Sequence, residues 1–284
     1  MLLPDLDWVS VFLRALVYAG TVCCAGGILV RTTIPAPRVN RPINLQISIG
    51  LFILIICEPL RYVAFQLSIA QGDWKTAFDP TLRWMAIETP QGHAAGMRLL
   101  GAALVLMARF RGTIAVTGAI LMISSYLLEG HTVSSNNRAL LAILLFVHLT
   151  VAHWWIAALY PLRAILTNRD TTQAAQTVEL FGRQALVAVG LLTVAGALML
   201  GELTGWQMDA SSAYQQAFAL KLALFAIILA LAARNKLRWT PRLTVDPDRA
   251  RPGLARAISG EMAVAALIGL TTAIATSYGN LPHG

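Results

Sequence analysis

The sequence predicts an all-α membrane protein, a polytopic bundle of eight transmembrane helices. Hydrophobic residues make up 57% of the 284 residues and charged residues only 13%, whereas ordinary soluble domains carry roughly 25% charged residues. Apolar runs of about 20 residues recur without the alternation of a β-barrel, and a lipid-exposed backbone must then be helical. These observations exclude a soluble globular enzyme, a disordered chain and a disulfide-stapled secreted module.

Eight apolar runs account for the predicted helices. The predicted spans are residues 8–30, 45–70, 93–110, 113–129, 138–161, 183–204, 214–233 and 257–277. The fourth run is short for a hydrocarbon core of roughly 30 Å, so we expect a tilted helix or one that begins in the preceding turn. Because no loop is long enough for a soluble domain, we predict a single transmembrane domain over residues 1–284.

The distribution of positive charge predicts the orientation. The loops after the first, third, fifth and seventh spans hold most of the arginines and lysines, and the loops on the other side hold only Lys75, Arg83 and Arg138. Short loops rich in these residues stay in the cytoplasm, so both termini are predicted to be periplasmic. The net charge of +8 is then an orientation signal and predicts no nucleic-acid partner.

The segment over residues 71–92 is predicted to lie on the periplasmic surface. It contains Trp74, Phe78, Trp84 and Met85 among charged residues. Large apolar side chains mixed with charges are typical of a helix in the membrane interface. We therefore predict an interfacial helix or lid there.

Ionisable residues inside the predicted spans need partners, because each costs roughly 2.5 kcal/mol or more to insert. Those in or near the spans are Arg14, Glu58, Arg61, Arg98, Lys221 and Glu261, besides histidines. Glu58 and Arg61 are three residues apart on one helical face and are predicted to pair. Lys221 is predicted to pair with Glu202 or with a carboxylate from another helix.

The histidines are the first candidate metal ligands. His93, His131, His148, His153 and His283 all fall in the outer half of the predicted membrane, at its outer edge or near its middle. His148 and His153 are five residues apart, which places them about 140° apart around a helix, so they are not expected to share one compact centre.

Methionine and glutamate extend the candidate set. Met97 follows His93 by four residues, and Met122, Tyr126 and Glu129 repeat along one face of the fourth span. Imidazole with thioether suits Cu(I), and imidazole with carboxylate suits Cu(II). Methionine is also an ordinary core filler, so the spacing alone leaves a packing role open.

The stretch from Gly130 to Leu162 carries a family resemblance. Gly130 and His131, then His148 followed seven residues later by Trp155, resemble the pattern of the CopD copper-resistance family of bacterial inner-membrane proteins. Further matches follow in Gly182-Arg183, Thr204-Gly205-Trp206, Lys221-Leu222 and the basic turn RNKLRWTPRL, then in Arg256 and Glu261. The sequence departs from the pattern at His153, where the family usually has a small residue.

The resemblance implies a copper-binding protein of the inner membrane. It implies movement of copper ions from the periplasm toward the cytoplasm, together with a periplasmic CopC-like copper chaperone as partner. Carried onto this sequence, it implies a site formed by His131 and His148. His93, Met97 and Glu129 are then additional ligands, and His153 is a deeper station.

Two other interpretations remain open at the level of the sequence. Paired histidines, His93 with His148 or His131 with His148, are able to hold haem b in a membrane redox protein. A copper-binding sensor or assembly partner would bind the ion without moving it. The copper interpretations predict no enzymatic activity, whereas the haem interpretation implies redox activity.

Overall fold

The computed structural model describes residues 7–35, 39–129, 137–167, 171–205 and 213–278. Within these ranges the chain is helical and contains no strand, as predicted. The α-helices of the described residues are α1 (Trp8–Thr33), α2 (Asn40–Ile69), α3 (Trp74–Ala77), α4 (Pro80–Ile87), α5 (Pro90–Met107), α6 (Gly112–Leu128), α7 (Arg138–Ile165), α8 (Thr171–Thr204), α9 (Ala213–Arg234) and α10 (Pro247–Tyr278). A π-helical turn, Asn235–Trp239, and a short 3-10 helix, Pro241–Leu243, follow α9.

Each of the eight predicted spans coincides with one of the longer helices. Six of these, α1, α2, α7, α8, α9 and α10, are long and apolar enough to cross a membrane. Helix α5 has 18 residues, which is about 27 Å at 1.5 Å per residue, and α6 is also shorter than the six. A crossing by α5 and α6 and the periplasmic position of the termini stay predictions.

Small residues allow the helices of the first half to approach closely. A Cβ atom at Gly101 of α5 would lie 2.5 Å from the carbonyl oxygen of Gly118 on α6, and a Cβ at Gly118 would meet the Gly101 oxygen at the same distance. A Cβ at Gly26 of α1 would lie 2.3 Å from the carbonyl oxygen of His153 on α7. Close backbone approach at glycine is the usual way in which membrane helices associate.

Helix α1 is not a regular α-helix throughout. Its middle, Val22–Gly26, is a π-helical turn that contains Cys23 and Cys24. A Cβ at Gly50 of α2 would lie 2.6 Å from the backbone nitrogen of Cys24. The turn is therefore packed between α2 and α7. Gly50 of α2 approaches it on one side, and the His153 backbone of α7 approaches Gly26 on the other.

The predicted interfacial segment consists of the short helices α3 and α4. Asp73 and Asp79 accept hydrogen bonds from the first backbone N–H groups of α3 and α4, respectively, and so cap them. The large apolar side chains of the segment are exposed: Trp74, Phe78, Trp84 and Met85. An exposed apolar surface next to charged residues agrees with the predicted contact with the membrane interface.

Candidate metal centre

His148 and His153 lie on α7 but contact different helices, as their spacing predicts. His153 is buried, and its ring centre is 6.1 Å from that of Tyr126 on α6. Its Nδ1 is 2.7 Å from the carbonyl oxygen of Leu149. The carbonyl can only accept, so Nδ1 carries the proton, and Nε2 keeps the lone pair that a metal ion needs.

His148 faces α8. A Cβ atom at Gly196 would lie 3.5 Å from Cε1 and 3.6 Å from Nδ1 of His148, so the glycine leaves room for the imidazole. The Leu192 carbonyl lies near the ring, but Nδ1 is buried and makes no hydrogen bond of ordinary geometry with the described residues. A buried polar atom without a partner is unusual and calls for a functional or hydration role.

Lys221, on α9, is close enough to His148 for its charge to act on the imidazole. The predicted pair with Glu202 is not present in the described structure, where Glu202 Oε2 accepts from Asn137 Nδ2 at 2.8 Å. Among the residues that the structure describes, Lys221 has no ion-pair partner. The charge of Lys221 therefore acts on His148 without a described carboxylate to neutralise it.

Glu129 lies in a different environment, a buried ion cluster of Glu58, Arg61, Arg98 and Glu129. Arg98 Nη2 is 2.7 Å from Glu58 Oε1 and 3.0 Å from Glu129 Oε1. Arg61 Nη2 is 3.1 Å from Glu129 Oε1, and Arg61 Nη1 is 3.3 Å from Glu58 Oε1. The predicted pairing of Glu58 with Arg61 is confirmed, and Arg98 and Glu129 join it.

Neutral side chains complete the surroundings of Arg98, which is fully buried. Arg98 Nη1 donates to Ser125 Oγ at 3.0 Å, and the guanidinium lies 5.2 Å from the centre of the Tyr126 ring. The Tyr126 hydroxyl donates in turn to Thr21 Oγ1 at 2.9 Å. The cluster ties α1, α2, α5 and α6 together.

The charge of the cluster is unfavourable for a metal cation at Glu129. Arg14 is near enough for its charge to act on Arg61, Arg98 and Glu129, so three guanidinium groups face two carboxylates in the described part of this region. The same Glu129 oxygen accepts from both arginines of the cluster. The arginines therefore compete with any metal for this carboxylate, and the ligand role of Glu129 stays a prediction.

His93 and Met97 lie in the first two turns of α5. The His93 side chain is 53% exposed, and its Nε2 is 3.7 Å from Oε2 of the exposed Glu88. Met97 is half-buried, one residue before Arg98. Neither is fully buried as Arg98 is.

The remaining histidines lie outside the described residues. His131 is in the range 130–136, and His283 is in 279–284. The central pair of the sequence prediction, His131 with His148, is therefore not tested. Within the ranges that the structure does describe, no three His, Cys, Asp or Glu side chains come together as a group able to hold a metal ion.

The mutual dependence of the buried charges is not visible in the sequence. Arg98 and Glu129 are candidates there only as separate residues, and nothing in the pattern brings them to Glu58. The hydrogen bond that Asn235 Nδ2 donates to Glu261 Oε1 at 2.5 Å inside the bundle was not predicted either. The requirement that every intramembrane charge needs a partner was the available signal, but it does not say which partner.

Two family models and one curated protein are similar to this chain. The family described as "Copper resistance protein D" matches residues 175–275, and "Copper resistance protein D-like, N-terminal domain" matches residues 5–138. A curated relative, the "Copper transport protein CutJ" of Bacillus subtilis (strain 168), is 29% identical over 233 residues. That alignment covers 75% of this chain and 42% of the relative, so the chain spans less than half of its length.

No solved structure matches this chain. The names of both families and of the relative refer to copper, and none refers to haem. The two family matches adjoin the His148 region on either side and together cover most of the sequence. Over most of its length, in residues 5–138 and 175–275, this chain is therefore similar to the CopD copper-resistance family.

Proposed function

We propose that this chain moves copper ions across the bacterial inner (cytoplasmic) membrane, from the periplasm toward the cytoplasm. Three findings support the proposal: similarity to the CopD family, the relative that is named a copper transport protein, and six helices able to cross a membrane. The observation that carries it is the His148 imidazole, whose buried Nδ1 makes no hydrogen bond of ordinary geometry with the described residues.

The proposed copper site is formed by His148 and His131, the second of which lies outside the described residues. In this proposal α5 and α6 also cross the membrane, which gives eight spans, and both termini are periplasmic. His93 and Met97, at the outer end of α5, receive the ion from a periplasmic CopC-like copper chaperone. His153 offers its Nε2 as a ligand deeper in the membrane, and Glu129 is an additional ligand for whose carboxylate Arg61 and Arg98 compete.

The surroundings of His148 suit an ion that has to be released again. Two neutral imidazoles form an incomplete ligand set, and a transport site must be weak enough for the ion to leave. The ammonium group of Lys221 repels a cation at His148, because like charges in a medium of low dielectric constant interact strongly. Repulsion lowers the affinity without removing a ligand.

The test is copper uptake into proteoliposomes that contain a copper chelator dye. We expect His148→Ala to lower the initial uptake rate about tenfold or more, since the loss of a ligand worth about 1.4 kcal/mol or more reduces binding by that factor. His283→Ala is the matched control, because the proposal gives that histidine no role. Uptake at the wild-type rate by His148→Ala would contradict the proposed site.

The same preparation separates transport from binding. If the unaltered protein binds copper and takes none up into the vesicles, it is a sensor or an assembly partner, and the transport proposal is wrong. An absorption spectrum of the purified protein with a Soret band would instead establish the haem interpretation.

A further inference from the structure

A cleft opens between the C-terminal end of α7 and the first turns of α10, at the arginine-rich end of the bundle. Its volume is about 460 Å³. Arg163, Arg251 and Arg256 line it, and Asp248 is the acidic residue among its lining residues in the described structure. The cleft therefore carries a positive charge, and the residues that bear it come from two different helices.

Each of the three arginines is held through its Nε atom. Arg163 Nε donates to Ser259 Oγ at 2.7 Å, which joins α7 to α10. Arg251 Nε donates to the Leu166 carbonyl at 3.1 Å. Arg256 Nε donates to the Pro252 carbonyl, one turn earlier on α10, at 3.2 Å. The arrangement fixes the guanidinium groups before any ligand arrives.

The outer nitrogens of two of these arginines are unused. For Arg163 and Arg256, neither Nη1 nor Nη2 makes a hydrogen bond or ion pair with the described residues. A guanidinium presents its donors in a planar fork that matches the oxygens of a phosphate group. Pre-ordered forks with unused donors are what a phosphate site requires, because little side-chain entropy is lost on binding.

Other arginines at this end of the bundle are arranged differently. The Arg249 side chain is 91% exposed, and its Nε lies 4.0 Å from Oδ2 of Asp246, three residues earlier in the chain. Arg238 lies over the ring of Trp239. Neither lines the cleft. The orientation signal in the sequence explains why arginines are present at this end, but it does not explain a cavity with three of them.

We propose that this cleft binds a phosphate group, supplied by the headgroup of an anionic phospholipid or by free phosphate. Leu166 and Ala255 give the cleft an apolar wall beside the arginines, as a headgroup attached to acyl chains would need. Basic pockets between transmembrane helices at the cytoplasmic side are known sites for anionic headgroups. This site is separate from the proposed copper site and does not depend on copper transport.

The experiment uses the full chain in nanodiscs of phosphatidylcholine, with and without phosphatidylglycerol, and measures thermal unfolding. A second arm adds inorganic phosphate to the phosphatidylcholine nanodiscs. A ligand that binds the folded state raises the unfolding midpoint. We expect phosphatidylglycerol to raise it for the wild-type protein. The R163Q/R256Q variant should lose about tenfold or more in apparent affinity, since charge-assisted bonds are removed.

Two further variants make the result specific. R242Q/R249Q removes the same number of charges from the same end of the chain, outside the cleft, and should respond to phosphatidylglycerol like the wild type. D248N removes the acidic lining residue and should bind more tightly, which keeps the proposal testable even if R163Q/R256Q folds poorly.

The outcomes decide between the two sources. A response to phosphatidylglycerol alone identifies a lipid site, and an equal response to inorganic phosphate shows that the phosphate group suffices. The proposal is overturned if the wild type responds to neither, or if R163Q/R256Q and R242Q/R249Q respond alike. It is also overturned if D248N binds phosphatidylglycerol no more tightly than the wild type.

Discussion

The first half of this bundle, α1–α6, and the second half, α7–α10, differ in how their buried charges are paired. In the first half, Glu58, Arg61, Arg98 and Glu129 share five short contacts through two carboxylate oxygens, and each side chain has at least two partners. In the second half, the charge of Lys221 acts on His148, and no described carboxylate forms an ion pair with Lys221.

Packing follows the same division. The most apolar stretches of α1 and α2 are 50% and 44% buried inside the bundle, whereas those of α8 and α9 are 17% and 11% buried. The helices around the ion cluster are thus packed more closely than α8 and α9. Buried atoms without a hydrogen-bond partner in the described structure occur in both halves, among them Glu58 Oε2, Arg61 Nε and His148 Nδ1.

The largest expected effect comes from breaking the ion cluster. Glu58→Ala leaves the fully buried Arg98 without its closest carboxylate, and removal of one partner from a buried pair typically costs 3–5 kcal/mol. We expect a large fall in the free energy of unfolding in detergent, measured by thermal or denaturant unfolding. Glu88→Ala, at an exposed carboxylate, is the control and should change stability little. Equal stability of the two variants would show that the cluster is not structural.

A glycine comparison tests the difference in packing. Gly26→Ala puts a Cβ atom 2.3 Å from the His153 carbonyl oxygen, so α1 and α7 have to move apart, at a cost of about 1–3 kcal/mol. Gly190→Ala on α8 meets no atom within 4 Å and should stabilise the helix by up to about 1 kcal/mol. Opposite shifts of the unfolding midpoint are expected, and shifts of the same sign would contradict the packing difference.

Removal of the unpaired ammonium group tests the second half. Lys221→Met keeps the length of the side chain and removes the charge near His148. If His148 binds copper, its affinity should rise about tenfold, which corresponds to about 1.4 kcal/mol of relieved repulsion. Lys75→Met, at an exposed position far along the chain, should leave copper binding unchanged. An unchanged affinity in Lys221→Met would place the copper site away from Lys221.

The fold was largely predictable because apolar length and charge asymmetry act along the chain. All eight predicted spans coincide with helices, since each span needs only its own sequence to be recognised. The partners of Arg98 and Lys221 were not predictable, because they depend on how distant helices are rotated. Arg98 pairs with Glu58, 40 residues away along the chain, whereas Lys221 forms no ion pair with Glu202 in the described structure. The π-helical turn at Val22–Gly26 was likewise invisible in the hydrophobic pattern.

The smallest expected effect lies outside the bundle, at the cap of α3. Hydrogen bonds from the Thr76 side chain and backbone hold the pKa of Asp73 below its ordinary value of 3.8. A lowered pKa in the folded state means that the cap stabilises α3 above about pH 4 and that this stabilisation is lost as the pH falls through the folded-state pKa. We expect lower protection factors for amide hydrogen exchange in residues 74–78 below about pH 4, measured by mass spectrometry and referred to the intrinsic exchange rate at each pH. Asp73→Asn should remove this pH dependence, and an unchanged profile in that variant would assign the effect to another group.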